Sequence, residues 1–181
     1  MSTRMPIVIY RVALAAWLAA VTGGANLQAA ELPVASKSSD PYEALSFYEG
    51  TWTLLDKKHE GYAETCSWLA GGGRRHVVCR SSVKAAEENR ESLGVYSYDE
   101  AKSEFVYHGF NKPGSVYIER GHRIPKGFVY TSQQGTGADR VRTRFTIVEG
   151  EHGRVSTVNE TSKADGPWVV DEKLEYLRTR P

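Results

Sequence analysis

The sequence predicts an all-β protein: a single up-and-down antiparallel β-barrel of about ten strands, preceded by a short helix. From Gly50 onward, short stretches rich in Thr, Val, Tyr, Trp and Phe alternate with Gly, Asp, Asn and Pro turn signals. The connections are brief, and short loops join neighbouring antiparallel strands. An open sheet of this length would leave two unpaired edges and an apolar face exposed, so closure into a barrel is favoured.

Residues 1–29 have the pattern of a secretory signal peptide, because Arg4 and Arg11 precede an apolar run over 12–21 and small residues follow. The run is too short for a comfortable membrane span, so no stable membrane insertion is expected after signal cleavage. Residues 30–40 are predicted to be a flexible leader, and residues 41–181 the barrel domain. The expected location is secreted or periplasmic.

The charge balance argues against one class of partner. Removing residues 1–29 takes away two arginines and no acid, so the formal net charge changes from +1 to −1. A near-neutral protein has no electrostatic footprint for nucleic acid, which is therefore not expected as a partner.

The dipeptide Asp40-Pro41 predicts the start of a short helix. Asp is a good N-cap and Pro is favoured at the first helical position. One or two turns through Tyr48 would bring Leu45, Phe47 and Tyr48 to one end of the barrel as a plug.

A hairpin is predicted around Gly71-Gly72-Gly73, because Gly tolerates the positive φ of tight turns. The two cysteines, Cys66 and Cys79, are equally distant from its midpoint. A two-residue loop makes them a non-hydrogen-bonded pair with Cα atoms about 4.5 Å apart, which a disulfide can span. A four-residue loop also places the two cysteines opposite each other, but as a hydrogen-bonded pair. Export into an oxidising compartment favours the disulfide.

The last strand supports closure of the sheet, because apolar and charged residues alternate along it. Glu172 interrupts the alternation from the inside. The apolar residues predicted to share the inner face are Trp168, Val170, Leu174 and Tyr176. The ten predicted strands are Thr51 to His59, Tyr62 to Leu69, Arg74 to Val83, Glu91 to Tyr98, Glu104 to Phe110, Ser115 to Arg123, Gly127 to Ser132, Arg140 to Val148, Arg154 to Thr161, and Trp168 to Arg178.

The sequence Gly50-Thr51-Trp52 after a short helix resembles the start of the lipocalin-like calycin barrels, including the fatty-acid-binding proteins. In those families a basic residue on the last strand covers the Trp, and Arg178 is the matching residue here. The resemblance implies a calycin/lipocalin-like barrel in which Trp52 and Arg178 have a structural role.

A more extended resemblance, over residues 45–178, is to secreted bacterial lipocalin-like proteins of a family of unknown function. The segments that carry it are 50–52, 66–72, 78–79, 94–99, 107–110 and 144–146. Two departures from fatty-acid-binding proteins argue against a bound fatty carboxylate. No helical lid fits between the first two strands, and Tyr176-x-Arg178 reverses their Arg-x-Tyr order.

The leading functional hypothesis is that the lumen binds a small, partly apolar molecule, because inward aromatic positions lie beside polar ones. With a loop at 100–103, Tyr96 faces Tyr107, which suits either stacking of a flat ligand or ordinary packing. The candidate ligand-binding residues are Glu64, Trp68, Tyr96, Tyr107, Phe145 and Glu172.

Two other functions stay open: a packed barrel with a structural or protein-interaction role, and a small-molecule enzyme that uses an inward carboxylate, Glu64 or Glu172. No catalytic residue is assigned. The adjacent acids Asp171 and Glu172 point to opposite faces of a strand, so they form no dyad. The five histidines lack a compact metal-binding spacing, so neither a metal nor another cofactor is expected.

Overall fold

The computed structural model describes residues 40–55, 61–84, 89–111 and 114–179. Over these residues a short helix leads into ten antiparallel strands, each paired with the next, and β1 also pairs with β10 to close the barrel. The prediction of an all-β, up-and-down barrel is confirmed. The predicted signal peptide and residues 30–39 of the predicted leader lie outside the described residues.

The strands are β1 (Gly50–Leu54), β2 (Tyr62–Trp68), β3 (His76–Lys84), β4 (Asn89–Asp99), β5 (Glu104–Asn111), β6 (Ser115–Ile124), β7 (Gly127–Gln134), β8 (Val141–Glu149), β9 (Arg154–Lys163) and β10 (Val169–Thr179). A short 3₁₀ turn, Gly137–Asp139, lies between β7 and β8. The predicted end of the first strand, at His59, lies outside the described residues.

The helix α1 (Pro41–Ala44) continues as a 3₁₀ turn over Leu45–Tyr48. Its N-cap is Asp40, whose side chain accepts a hydrogen bond from the Tyr42 backbone N–H at 3.0 Å. Leu45 and Tyr48 are buried against the barrel, so the expected plug is present. None of the helices described is long and apolar enough to cross a membrane.

The plug closes the lower end of the barrel, where Trp52 and Arg178 meet. They are register partners on β1 and β10, and the guanidinium carbon lies 5.2 Å from the centre of the indole ring. The indole N–H donates to the Tyr48 carbonyl at 2.9 Å. The Arg178 guanidinium also pairs with Glu149 and donates to the Phe47 carbonyl. The predicted contact between Trp52 and Arg178 is therefore confirmed.

The close pairing of β1 and β10 requires a glycine at position 50. Gly50 has φ of 131°, and a Cβ built there would lie 2.5 Å from the Thr179 carbonyl oxygen. Any side chain would push the last strand away. The Gly of the Gly-x-Trp sequence thus serves the closure of the sheet.

The two cysteines form the predicted disulfide, and the hairpin around it is wider than expected. Cys66 lies opposite Cys79 with Cα atoms 4.0 Å apart. β2 ends at Trp68 and β3 begins at His76, so the connection covers residues 69–75. The predicted loop of two or four residues was therefore wrong. The symmetric register survives because the Leu69 N–H still donates to the His76 carbonyl, at 2.9 Å.

A register shift in β10 changes which residues face inward. Val170 pairs with Glu160, whereas Glu172 pairs with the next residue of β9, Asn159, so Asp171 forms a bulge. Residues before the bulge are displaced to the opposite face. Trp168 and Val170 therefore lie outside the barrel, contrary to the predicted inner stripe, and the Trp168 ring lies 4.5 Å from the Arg144 guanidinium carbon.

We predict that Arg178→Met lowers the free energy of unfolding by about 2 to 4 kcal/mol, because it removes a buried guanidinium that pairs with Glu149, donates to the Phe47 carbonyl and packs on two rings. Chemical denaturation measures the change. The control is Arg154→Met, which removes an exposed 3.4 Å ion pair with Glu175 and should cost less than about 1 kcal/mol. Equal losses in the two variants would contradict the role given to Arg178.

We predict that reduction of the Cys66–Cys79 disulfide costs about 2 to 3 kcal/mol and leaves the barrel folded, because the bond closes a short loop. Denaturation with and without reductant measures the loss. The double variant Cys66→Ala/Cys79→Ala should show no effect of reductant. Unfolding of the wild type on reduction alone would show that the bond is essential for the fold.

Candidate functional site

The interior of the barrel has two levels. The lower level, next to the plug, is packed with rings: those of Tyr48 and Tyr96 stack 3.7 Å apart, and the Tyr48 and Tyr130 hydroxyls are 2.8 Å apart. Above it, partly exposed polar residues share the inner face with rings such as Tyr107 and Tyr117. The polar residues include Ser92, Glu119, Ser132, Thr143 and Asn159. The upper level is the part of the interior that a ligand can reach.

A void of about 40 Å³ separates the two levels. One water molecule occupies about 30 Å³ in the liquid, so the void matches a single small chemical group. The residues that line it include Trp52, Glu64, Tyr96, Phe145, Thr157 and Tyr176, which come from six strands.

Glu64 supplies the carboxyl group of the void. It lies on β2 between Trp52 of β1 and Ser81 of β3, at an inward position. The Tyr62 hydroxyl donates a hydrogen bond to this carboxylate at 3.2 Å. Burial raises the pKa of Glu64 to about 7, against a smaller lowering by the Tyr62 hydrogen bond. The group therefore exchanges its proton near neutral pH.

Four tyrosine rings lie near Glu64, and two of them, Tyr96 and Tyr176, line the same void. Tyr62 and Tyr176 meet edge to face with centroids 5.9 Å apart, and Tyr96 packs on Tyr107 at 4.6 Å. Burial, followed by the charge of Glu64, raises the pKa of Tyr176 to about 12. Burial likewise raises the pKa values of Tyr62, Tyr96 and Tyr107, and the Glu64 charge contributes to each. All four hydroxyls are therefore neutral donors at physiological pH.

Gly109 affects the shape of the upper-level wall, because the Tyr117 ring packs directly against it. A Cβ at Gly109 would lie 2.2 Å from the Tyr117 ring, so the absence of a side chain lets this ring lie flat against β5. The Tyr117 ring is 5.7 Å from that of Tyr107. The two rings continue the aromatic lining away from the void.

A second acid lies on the same wall. Glu119 of β6 is the register partner of Tyr107, and burial raises the pKa of its carboxyl. Sequence reasoning missed it together with Tyr117 and Thr157. Counting across the β5–β6 hairpin from Tyr107 would have found Glu119, because alternation puts Tyr117, Glu119 and Gly121 on one face.

The structure brings together four of the six predicted ligand-binding residues. Glu64, Tyr96 and Phe145 line the void, and Tyr107 packs on Tyr96.

The other two lie elsewhere. Trp68 is at the closed end, where its indole N–H donates to Glu49 at 3.2 Å and the Arg74 guanidinium carbon lies 4.8 Å from its ring. Glu172 is exposed near the upper end, opposite Asn159. Neither of them lines the void.

The Glu64 carboxylate and the sulfur atoms of Cys66 and Cys79 lie within 4.8 Å of one another. Metal ions bind cysteine as the thiolate. Because these two sulfurs are bonded to each other, the trio is not a metal-binding set in the oxidised protein.

Two larger depressions lie outside the lumen. One, of about 580 Å³, includes Arg80, Glu91, Leu93 and Phe110 on the outer face of β3 to β5. Both are wide and open, whereas the void concentrates a buried acid and rings in one place.

The second depression, of about 520 Å³, lies between α1 and the 69–75 loop. The two arginines that line it already interact with other side chains. Arg75 pairs with Glu100 at 3.2 Å, and the Arg74 guanidinium packs on Trp68. We therefore take the lumen, with Glu64, as the candidate site.

We predict that Glu64 makes stability depend on pH. The folded protein retains a proton on Glu64 that the unfolded chain releases, so this contribution to the free energy of unfolding falls as pH rises from about 4.5 to about 7. Relative to Glu64→Gln, the wild type should lose up to about 3 kcal/mol across that window.

Denaturation midpoints measured at several pH values test this prediction. The matched control is Glu175→Gln, which neutralises an exposed acid and should retain the pH dependence of the wild type. A pH dependence that is identical in wild type and Glu64→Gln would contradict it.

No protein-family model matches the sequence, and the search of curated proteins finds no significant match.

Proposed function

We propose that the protein binds a small, partly apolar molecule in the upper level of its lumen, with one polar group of the ligand in the void at Glu64. The observation that carries the proposal is the asymmetry of the interior. Rings fill the lower level, whereas inward polar residues of the upper level, such as Thr143 and Asn159, keep accessible surface. A barrel selected only for packing would extend its apolar core through both levels.

The size of the void limits how the ligand fits. Sites for drug-sized ligands measure about 300 to 1,000 Å³, far more than the void of about 40 Å³. Only a head group enters the void, so the body of the ligand lies against the rings of Tyr107, Tyr117 and Phe145 above it. This arrangement suits a molecule with one polar end and a compact apolar body.

The small void also favours a second candidate, a packed barrel that binds other proteins or has a structural role. A third candidate is proton transfer by Glu64, because a carboxyl with a pKa near neutrality suits general acid–base catalysis. If Glu64 is catalytic, a ligand recovered from Glu64→Gln would differ chemically from the one recovered from the wild type.

We further propose a secreted or periplasmic location and a relationship to the lipocalin-like barrels. The disulfide supports an oxidising compartment, and the closed sheet with the Trp52–Arg178 contact supports the relationship. The pattern of residues 1–29 supports export.

The proposed function predicts a small molecule that co-purifies with the protein from its own compartment, observed as an added mass in native mass spectrometry. Asn159→Phe places a bulky ring at an inward position of β9 and should abolish the added mass. Ser156→Phe places the same ring on the exposed outer face of the same strand and should retain it.

Thermal unfolding of both variants checks that each is folded. Repeated absence of any bound molecule from the wild type, or equal occupancy of the two variants, would contradict the proposed function and favour the packed barrel.

A further inference from the structure

The described residues around the void include a carboxyl group and no basic side chain. Glu64 has the Tyr62 hydroxyl as its hydrogen-bond donor. The inward base at the closed end, Arg178, already engages Glu149 and the Phe47 carbonyl. An ionised Glu64 therefore has no neighbouring positive charge among the residues described at the void. Burying such a charge is costly unless a cation accompanies it.

The surroundings of Glu64 suit a cation in a second way. Two electron-rich rings, Tyr96 and Tyr176, line the void with the carboxyl. Tyr107 packs on Tyr96, and Tyr62 packs on Tyr176. The faces of aromatic rings attract cations, and the attraction grows when water is excluded. A carboxylate among aromatic rings is therefore a suitable binding site for an ammonium group.

A second acid in the lumen strengthens the preference for a cationic ligand. Glu119 faces inward beside Tyr107. Burial disfavours the ionised form of its carboxyl group and of the Glu64 carboxyl group. A positively charged ligand offsets this cost, whereas an anionic one adds to it. The interior therefore discriminates by the sign of the ligand charge.

We propose, on the basis of the proposed function, that the ligand is a small organic cation, a primary amine whose ammonium head lies against Glu64. The head occupies the void and the remainder lies along the upper rings. Ligand binding requires the ionised carboxylate, so affinity rises as pH increases through about 7 and levels off above it. Binding below that pH releases a proton.

Three probes of nearly identical shape test the charge preference: 3,3-dimethylbutylamine, its neutral analogue 3,3-dimethyl-1-butanol, and the anion 3,3-dimethylbutyrate, which differ in the polar group at one end. The amine, which is protonated at these pH values, should bind about ten-fold more tightly than the alcohol, and the anion most weakly. Titration calorimetry at about pH 6 and about pH 8 should show the preference for the amine increasing with pH, with proton release at the lower value.

Glu64→Gln keeps the size of the side chain and should remove both the preference for the amine and its pH dependence. The affinity for the neutral alcohol should change less than about two-fold, because that probe carries no charge. Glu175→Gln removes an exposed acid on the outer face of β10 and should leave the preference intact.

The outcomes separate this inference from the proposed function. Equal or tighter binding of the neutral or anionic probe overturns the cation proposal while supporting a ligand in the lumen. Failure of all three probes also overturns it when the molecule that co-purifies with the protein is not cationic. If the co-purifying molecule is cationic and is lost in Glu64→Gln, the proposal is supported.

Discussion

Closure of the sheet between β1 and β10 is the constraint on which the other features depend. Main-chain hydrogen bonds around a complete barrel leave no strand edge unpaired, and this pairing holds only because Gly50 lets the backbone approach Thr179. The same junction aligns Trp52 with Arg178, and Arg178 in turn reaches the plug at Phe47. One junction therefore fixes the sheet, its floor and the helix beneath it.

The floor determines where chemistry can occur. Because rings dominate the lower level, where the buried hydroxyls of Tyr48 and Tyr130 hydrogen-bond each other, the carboxyl of Glu64 lies at its upper boundary. A carboxyl at such a boundary is neither solvated as on a surface nor paired as in most interiors. Its raised pKa follows from this position, and so does its suitability for contact with a ligand.

The sequence was sufficient for the order of the strands and most of their bounds, because turn residues and alternation are local signals. The opposition of Cys66 and Cys79 followed from symmetry alone. The length of the loop between them did not, since glycines indicate permitted φ values but not where pairing stops. The bulge at Asp171 was also hidden, because it depends on contacts with β9 such as the 3.2 Å hydrogen bond from Thr161. The void depends on how rings from four strands and the plug pack, which no local pattern specifies.

The junction of the first and last strands also bears on how the chain folds. The hydrogen bond from Thr53 to the Leu177 carbonyl joins residues 124 positions apart. Contacts this distant in sequence form slowly, because a long chain segment must first be ordered. Until then the outer edges of β1 and β10 are unpaired and can pair with other molecules. Newly made protein is thus most prone to aggregation just before the barrel closes, and dilution or a chaperone would help at that stage.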